Sequence, residues 1–420
     1  MPKINTPTPL SDLNLVVSTY AGLEDILAEE IHALGGREIE VHTRAVSCIG
    51  DKGFMYKANF SLRTALKVMV KLSSFPMHTV VDLYDGVAAV DWTQYMKLEQ
   101  TFAVRCILNS DLFDNNLYPA LKAKDAIADQ FRKNQGSRPN VEKNDPDLEV
   151  VVFISGEKCQ LLINSSGTSL HQRGYRKEVD KAPLSEVMAA GIIMLSGWEP
   201  HIPLIDFMCG SGTIPIEAAL IAARIPPGTF RKSFAFEKWL DFDEELFKLI
   251  REKQLERIVE SEVKIYANEL NRYVFLKAIE NVESAGVEDM VKLSCGDFRD
   301  FEHEEKKAFI IINPPYGEKL EVDDLEKLYA ALGERLKHHY AGCKAWIFTG
   351  SPEGAKAIGL RPNRKMKLFN GPLECRLLGY DLFEGKKSER YLKNQPKEEK
   401  EDYQEKEDHQ DKEDIQSSEE

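Results

Sequence analysis

The chain has 420 residues and a formal net charge of −14 at pH 7, and 43% of its residues are hydrophobic. This length supports two or three domains with a sizeable core. The apolar stretch from Val187 to Leu195 is too short to span a bilayer, and the first residues lack the charged-then-apolar layout of a signal peptide. These features argue against a membrane protein and predict a cytoplasmic protein with no membrane contact.

The cysteines and histidines do not follow a pattern typical of a metal site or of a disulfide framework. The seven cysteines are odd in number and scattered, with no C-x-x-C spacing: Cys48, Cys106, Cys159, Cys209, Cys295, Cys343 and Cys375. His338 and His339 are adjacent, so they would project differently from a helix, and no carboxylate pair stands at a spacing that would complete a site. The sequence therefore predicts that no metal is bound.

The negative charge is concentrated at the end of the chain. Residues 397–420 contain 12 acidic residues and 4 lysines, which leaves a charge of −6 on residues 1–396. Because residues 386–420 are highly charged and contain almost no apolar side chains, we predict that they form a disordered tail. An acidic body can still bind RNA, since affinity follows local clusters of lysine and arginine rather than the total charge.

The first 165 residues alternate between strand and helix patterns. In chain order we predict a strand (Leu13–Val17), a helix closed by two glycines (Gly22–Leu34), a strand (Arg37–Ile49), a helix (Phe54–Leu72), a strand (Phe102–Leu108), a helix (Tyr118–Lys133) and a hairpin (Glu149–Ile154 with Lys158–Ile163). This alternation is typical of α/β domains.

Basic residues occur on the helix predicted at Tyr118–Lys133 and in the segment after the hairpin. They are Lys122, Lys124, Arg132, Lys133, Arg173 and Arg176. The helix residues either dock RNA or form an ordinary solvated face. The segment around Arg173 and Arg176 either contacts RNA phosphate or locks two domains together.

A short apolar strand at Leu204–Met208 leads into two glycines, Gly210 and Gly212, and then into a helix pattern from Ile214 to Arg224. Glycines let a backbone approach a ligand, and the free N–H groups at a helix start attract a carboxylate or phosphate. A P-loop would need a lysine after the last glycine, and the dinucleotide fingerprint would need a third glycine. The segment resembles motif I of the class I S-adenosylmethionine methyltransferases instead; the alternative is a tight turn without a ligand.

Two acidic residues follow the next two predicted strands. Glu269 ends the strand Lys264–Glu269, where it could accept hydrogen bonds from ribose hydroxyls. Asp297 follows the strand that starts at Val291 and would suit an adenine amino group. Each acid could instead be only a helix cap or turn residue.

The apolar run Ala308–Ile312 predicts a buried parallel strand that ends in Asn313-Pro314-Pro315-Tyr316. Open α/β sheets keep their active sites at this end of the strands. The Asn313 side-chain carbonyl and the Pro314 backbone carbonyl can each accept one N–H from a nucleobase amine, which turns its delocalised lone pair toward a methyl donor. Tyr316 offers a ring for stacking on a base held outside its helix. The alternative is a strand-terminating turn with a buried tyrosine.

Together the motifs resemble the THUMP-domain RNA methyltransferases, specifically the bacterial 23S rRNA guanine-N2 methyltransferase branch. The resemblance also rests on five other segments: Leu170–Arg176, Ala182–Glu186, Ile225–Gly228, Phe236–Trp239 and Phe369–Leu377. It implies S-adenosylmethionine as the cofactor and RNA as the partner, either 23S rRNA or a large-subunit assembly intermediate. It also implies that Asn313, Pro314, Pro315 and Tyr316 orient the target guanine.

The cofactor residues implied by the resemblance are Asp206, Met208, Cys209, Gly210, Gly212, Thr213, Glu269, Asp297, Phe298 and Asn313. Two departures from the family pattern matter. The second strand ends in Asn268-Glu269 where the family usually has Asp in a Gly-Ser-Asp setting, so either residue could meet the ribose. The chain also lacks the second methyltransferase fused to some relatives, so a 7-methylguanine activity is not expected.

We therefore expect an α/β protein with a ferredoxin-like module (1–50), a THUMP domain (51–165), a linker (166–190), a Rossmann-like class I methyltransferase domain (191–385) and a charged tail (386–420). Its last two strands, Lys365–Phe369 and Glu374–Phe383, should pair antiparallel. The predicted function is methylation of a guanine N2 amine in RNA. The alternatives are adenine-N6 methylation of DNA or RNA, or a non-catalytic RNA-binding assembly factor.

Overall fold

A computed structural model describes residues 12–177, 184–305, 307–316 and 322–383. Three sequence-based expectations concern residues outside these ranges, in whole or in part. They are the absence of a signal peptide at the amino terminus, the Ala182-Pro183 part of the family segment Ala182–Glu186, and the charged tail at 386–420. The described residues form two sheets, one in each half of the chain.

The amino-terminal half is built on an eight-stranded sheet with the order β2-β3-β1-β4-β8-β7-β5-β6. Its strands are β1 (Leu13–Ser18), β2 (Arg37–His42), β3 (Ala45–Gly50), β4 (Lys67–Pro76), β5 (Thr101–Asn109), β6 (Asn140–Val141), β7 (Leu148–Ser155) and β8 (Lys158–Asn164). The helices are α1 (Glu24–Leu34), α2 (Lys52–Ser61), α3 (Val80–Ala88) and α4 (Leu117–Gln135). The elements from β1 to β4 form a βαββαβ unit of the ferredoxin-like kind, which extends past the predicted boundary at residue 50.

The carboxyl-terminal half is built on a seven-stranded sheet with the order β11-β10-β9-β12-β13-β15-β14. Its strands are β9 (Leu204–Asp206), β10 (Ile265–Glu269), β11 (Val291–Cys295), β12 (Phe309–Ile312), β13 (Lys344–Thr349), β14 (Arg364–Asn370) and β15 (Leu373–Asp381). The helices are α5 (Glu186–Ser196), α6 (Thr213–Ala222), α7 (Glu244–Leu255), α8 (Arg272–Ala285), α9 (Val322–His339) and α10 (Pro352–Ala357).

The first five strands of this second sheet are parallel, and β15 pairs antiparallel with both β13 and β14. The predicted antiparallel pair at the end of the domain is therefore confirmed. Every residue of β9 and of β12 is buried, which explains why both strands are continuous apolar runs in the sequence. The strand order reverses between β9 and β12, and open α/β sheets bind their ligands at such a point.

Two predictions for the amino-terminal half are wrong. The stretch Arg37–Ile49 is a hairpin rather than one strand, because the chain turns at Arg44, whose φ is 61°. The stretch Phe54–Leu72 is not one helix, since α2 ends at Ser61 and β4 begins at Lys67. The Glu30 carboxylate accepts the backbone N–H groups of Arg63 and Thr64 at 2.8 and 2.9 Å, so these amides do not continue the helical ladder.

Candidate functional site

A cleft of about 1210 Å³ lies at the carboxyl ends of β9, β10, β11 and β12. It brings together almost all of the residues that the sequence predicts for the cofactor and the target base. They are Asp206, Met208, Cys209, Gly210, Thr213, Glu269, Asp297, Phe298, Asn313, Pro314, Pro315 and Tyr316. The parallel direction of the four strands places these side chains at one edge of the sheet, although they span more than a quarter of the chain.

The glycine turn between β9 and α6 forms one wall of the cleft. Gly210 has a φ of 57°, and a Cβ at Gly210 would meet no protein atom within 4 Å, so its free side faces open space. Its N–H donates to Glu269 Oε2 at 3.0 Å, which ties the turn to the end of β10. Gly296 after β11 is open in the same way. A ligand could therefore lie directly against the backbone at two places in the cleft.

Gly212 differs from the expectation that it lines the cofactor. It has a φ of 86°, and a Cβ there would lie 3.6 Å from side-chain atoms of Ala278 and Ile216 rather than in the cleft. Gly212 precedes the first residue of α6, and its N–H donates to the Cys209 carbonyl at 2.9 Å. A glycine is thus required at position 212 because the backbone of the turn is left-handed there, and not because a ligand needs the space of a side chain.

Asp206, the last residue of β9, is 1% exposed. One of its carboxyl oxygens accepts the Met208 N–H at 3.1 Å. Burial, together with the negative charge of Glu269, raises the pKa of Asp206 to about 8. In the free protein this carboxyl group is therefore protonated at neutral pH, and it keeps an O–H that a bound ligand can use as a donor.

This raised pKa predicts how the stability of the free protein depends on pH. The pKa of Asp206 is higher in the folded than in the unfolded chain, so its contribution is full below about pH 4 and is lost as the pH rises toward about 8. We expect the unfolding free energy of Asp206→Asn to fall less steeply than that of the wild type over this window, by up to about 1.4 kcal/mol per pH unit. Urea unfolding at a series of pH values without cofactor measures both slopes, and parallel slopes would contradict the assignment.

The structure also bears on which residue at the end of β10 faces a ribose. Asn268 is 2% exposed, and both ends of its amide are occupied: Nδ2 donates to the Gly296 carbonyl at 2.9 Å, and Oδ1 accepts from Ser294 at 2.9 Å. Glu269 is only partly buried and accepts two backbone N–H groups, from Gly210 and Asn271. The Asn268 amide therefore links neighbouring strands, whereas the Glu269 carboxylate lies partly exposed at the wall of the cleft.

Asp297 lies beside Arg299, a cleft residue that the sequence analysis missed. Arg299 donates to the Asp297 carboxylate from Nε at 2.9 Å and from Nη2 at 2.6 Å, and these bonds lower the pKa of Asp297. The aspartate is therefore ionised and able to accept an amino N–H. Phe298, between them, is buried, and its ring centroid lies 6.4 Å from that of Phe207.

The segment after β12 presents unpaired acceptors to the cleft. The side-chain oxygen Oδ1 of Asn313 is buried and accepts no hydrogen bond from any described residue. The neighbouring Pro315 carbonyl accepts from the Tyr329 hydroxyl at 3.3 Å, whereas no described group donates to the Pro314 carbonyl. A buried carbonyl without a partner is costly, so its presence at the wall of a cleft points to a ligand N–H as its partner.

The side chain of Tyr316 is held by one contact of its hydroxyl group and one contact of its ring. Its hydroxyl accepts the Asn370 amide N–H at 3.0 Å, and its ring meets the Phe348 ring edge-on, with 6.3 Å between centroids. Burial raises the pKa of the hydroxyl, so Tyr316 stays neutral. Asn370 is the last residue of β14 and lines the cleft, but its role was missed, because its partner is 54 residues away in the chain.

Arg173 and Arg176, for which the sequence left RNA contact open, both form hydrogen bonds within the protein. Arg173 is 1% exposed, donates to the carbonyls of Leu170 and Arg63, and pairs with Glu217. Arg176 donates to the hydroxyls of Ser211 and Thr213 at 2.8 and 2.9 Å, within the turn that lines the cleft. The RNA-contact expectation is therefore corrected for Arg173, and the contacts of both arginines support the alternative that this segment locks the domains together.

The four other basic residues predicted to bind RNA lie on α4, away from the cleft. Lys124 pairs with Asp125 at 3.4 Å, and Arg132 pairs with Asp129 at 2.6 Å. The ammonium group of Lys122 lies 5.7 Å from the centre of the Tyr118 ring, and Lys133 is exposed. These contacts leave RNA docking by Lys122, Lys124, Arg132 and Lys133 as a prediction.

In the described part of the chain, no group of three or more His, Cys, Asp or Glu side chains is arranged to hold a metal ion. In the same residues, no helix has the length and apolar character needed to cross a membrane.

Three family models match consecutive parts of the chain. The model of the RlmL ferredoxin-like domain matches residues 14–69, that of the THUMP domain matches residues 78–164, and that of the RMKL-like methyltransferase domain matches residues 173–378. They confirm the predicted order of a ferredoxin-like module, a THUMP domain and a methyltransferase domain.

Individual relatives are similar over most of the chain. The ribosomal RNA large subunit methyltransferase K/L of Cellvibrio japonicus is 38% identical over 376 residues, which are 86% of this chain and 50% of the relative. The chain therefore spans about half the length of this curated relative. The crystal structure of SMU.472 in complex with SAH is 30% identical, covers 89% of this chain and 99% of its own, and has a TM-score of 0.80. A structure from Listeria monocytogenes, described as a predicted N6-adenine-specific DNA methylase, is 28% identical with a TM-score of 0.80 and covers 89% and 97%.

Proposed function

Because the chain belongs to the family of RMKL-like methyltransferases that carry a ferredoxin-like and a THUMP domain, we propose that it methylates the exocyclic N2 amine of a guanine in RNA with S-adenosylmethionine. The observation that carries this proposal is the buried Asn313 Oδ1, which has no described partner and lies in the same cleft as the Gly210 turn. One wall thus suits a nucleoside cofactor, and the other suits an amine.

The residues of the cleft fit the cofactor. The space in front of Gly210 and Gly296 would admit its amino-acid and nucleoside parts, Glu269 would accept the ribose hydroxyls, and Asp297 would accept the adenine amino group. The crystal structure of the relative SMU.472 contains SAH, which supports S-adenosylmethionine as the cofactor. When bound, the cofactor supplies an electrophilic methyl group.

The chain's own contribution to the reaction is orientation. The guanine amine is a poor nucleophile, since its lone pair is delocalised into the ring. Asn313 Oδ1 and the Pro314 carbonyl would each accept one N–H of this amine and hold the nitrogen with its lone pair pointing out of the ring plane. Tyr316, fixed by Asn370 and Phe348, would stack on the extruded base. No strong base is needed for this step.

RNA as the substrate is supported by the THUMP domain and by the name of the Cellvibrio japonicus relative, which acts on large-subunit ribosomal RNA. We propose 23S rRNA, alone or in an assembly intermediate, as the molecule that is methylated. A second candidate is the N6 amine of adenine, because an amine of the same kind would fit the same two acceptors and because the Listeria monocytogenes relative carries that description.

Nucleoside analysis by mass spectrometry tests the proposal. The 23S rRNA of a strain that lacks this chain should lose N2-methylguanosine, and expression of the wild-type chain should restore it. Loss of N6-methyladenosine instead would favour the second candidate. An unchanged profile, combined with absence of cofactor binding in calorimetry, would favour a non-catalytic RNA-binding protein. Methyl on a ring carbon or a ribose oxygen would contradict the role given to Asn313.

A further inference from the structure

A second cavity, of about 290 Å³, lies between the ferredoxin-like half and the segment that follows α6. Its six lining residues are Ser61, Arg63, Arg224, Pro226, Gln254 and Arg257. Because three of the six are arginines, we call it the arginine cavity. None of the described carboxylates lines it. The cavity is separate from the cleft, since the two share no lining residue.

Arg63 forms the fixed part of this cavity. Its Nη2 donates to the Leu220 carbonyl at 3.1 Å and to the Ile225 carbonyl at 2.9 Å, at the end of α6. Glu217 and Glu30 act electrostatically on this guanidinium but form no ion pair with it: Glu30 accepts from Thr64 and from the Arg63 backbone, and Glu217 pairs with Arg173. The Arg63 guanidinium is thus held in one orientation by backbone carbonyls, and no described carboxylate forms an ion pair with it.

The other two arginines, Arg224 and Arg257, are exposed, and no described acidic side chain forms an ion pair with either. Burial lowers the pKa of Lys57, and the positive charge of Arg257 lowers it further, whereas Asp51 acts in the opposite direction. Positive charge therefore accumulates at the mouth of the cavity.

Gln254 adds a buried neutral donor. Its side chain is 6% exposed, and its Oε1 accepts from the Ser61 hydroxyl at 3.3 Å, so its orientation is set. The Nε2 group then donates to no described residue, although Gln254 lines the cavity. These N–H groups are therefore available to an acceptor on a ligand in the cavity.

We propose that the arginine cavity binds a phosphate group. Guanidinium groups match phosphate oxygens with paired, charge-assisted hydrogen bonds, and every charged group at this site is a donor. The phosphate belongs either to the backbone of the RNA substrate or to a free phosphorylated molecule. An RNA phosphate as the ligand rests on the proposed function. It also fits the position of the cavity: α6 begins at the cleft, and its 10 residues end beside the cavity, about 15 Å away.

The test compares Arg224→Gln/Arg257→Gln with a matched control, Arg361→Gln/Arg364→Gln, which removes the same charge from exposed arginines that do not line either cavity. Calorimetric titration with inorganic phosphate should show binding to the wild type that is weakened about tenfold or more in the cavity variant alone. Binding of a 23S rRNA transcript at several salt concentrations gives a second readout. Losing one phosphate contact should lower its salt slope by about 0.7 to 0.9.

A lower RNA salt slope in the cavity variant, with or without weaker phosphate binding, assigns the site to an RNA phosphate. Weaker phosphate binding alone assigns it to a free phosphorylated ligand. If both readouts of the cavity variant equal those of the control variant, the inference is overturned. SAH binding should be equal in the wild type, the cavity variant and the control variant. Because the test does not measure methyl transfer, a negative result would leave the proposed function unaffected.

Discussion

Replacement of Asn313 by alanine should lower the rate of methyl transfer by about 10²- to 10³-fold while leaving the affinity for S-adenosylmethionine nearly unchanged. The reason is that Asn313 Oδ1 has no described partner in the protein, so the substitution removes an acceptor that only the target amine would use. Single-turnover kinetics with saturating RNA measures the rate, and calorimetry with SAH measures the state of the cofactor site.

Asn313→Gln provides the matched control for position. It keeps the amide group but moves it by one methylene, and a displacement of about 1 Å is enough to cost roughly 100-fold when orientation is the main contribution. We therefore expect Gln to be nearly as inactive as Ala. Full activity of Asn313→Gln, or of Asn313→Ala with intact RNA binding, would show that the amide does not orient the amine.

Replacement of Arg173 by methionine should destabilise the protein by about 3 to 5 kcal/mol. Arg173 and Glu217 are both buried, with 2% and 0% of their side chains exposed. Among the described residues, the substitution leaves the carboxylate with only the Tyr175 hydroxyl as a hydrogen-bond donor, at 3.1 Å. Burial already raises the pKa of Glu217, and Arg173 holds it down. Without the arginine the pKa should rise further, so the loss of stability should grow as the pH increases above the ordinary carboxyl range.

The measurement is the free energy of urea unfolding, followed by tryptophan fluorescence at pH 5 and pH 8. Arg132→Met is the matched control, because Arg132 and its partner Asp129 are 56% and 45% exposed, and an exposed pair contributes only about 0 to 1 kcal/mol. Tyr175→Phe removes one hydrogen bond to the same Glu217 and should cost about 0.5 to 1.5 kcal/mol, which keeps the test informative if Arg173→Met does not fold. Equal effects of Arg173→Met and Arg132→Met would contradict the role of the buried pair.

The buried pair also has a consequence for the site. Glu217 lies on α6, the helix that starts at the Gly210 turn, and Arg173 joins it to the Arg63 carbonyl of the ferredoxin-like half. Three residues further on, Arg176 bonds the Ser211 and Thr213 hydroxyls. One short segment thus connects the half that carries the THUMP domain with the glycine turn of the cleft, and we infer that these two arginines act as positioning residues.

Most strands of the carboxyl-terminal half could be predicted from local pattern, whereas two stretches of the amino-terminal half, Arg37–Ile49 and Phe54–Leu72, could not. Parallel strands such as β9 and β12 are buried on both faces and read as continuous apolar runs bounded by glycine or polar residues. The stretch Phe54–Leu72 has apolar residues at helical spacing, yet its second part is a strand, since Val68 and Val70 pair with β1. Periodicity over so short a span does not separate the two cases, and the Glu30 carboxylate that ends the helix is distant in sequence.

The sequence by itself determined the existence and the approximate composition of the site. Asp206 and Glu269 end recognisable strands, Asp297 and Asn313 follow the next two, and the carboxyl ends of parallel strands meet at one edge whatever the details of their side chains. Only the tertiary structure decided which groups are free and which are engaged. It shows that Asn370 bonds to Tyr316, that Arg299 bonds to Asp297 and that Glu217 pairs with Arg173. It also shows that Arg63, Arg224 and Arg257 surround one cavity. The physical reason is that the charge and hydrogen bonding of a side chain depend on its neighbours in space, and most of these neighbours lie tens of residues away in the chain.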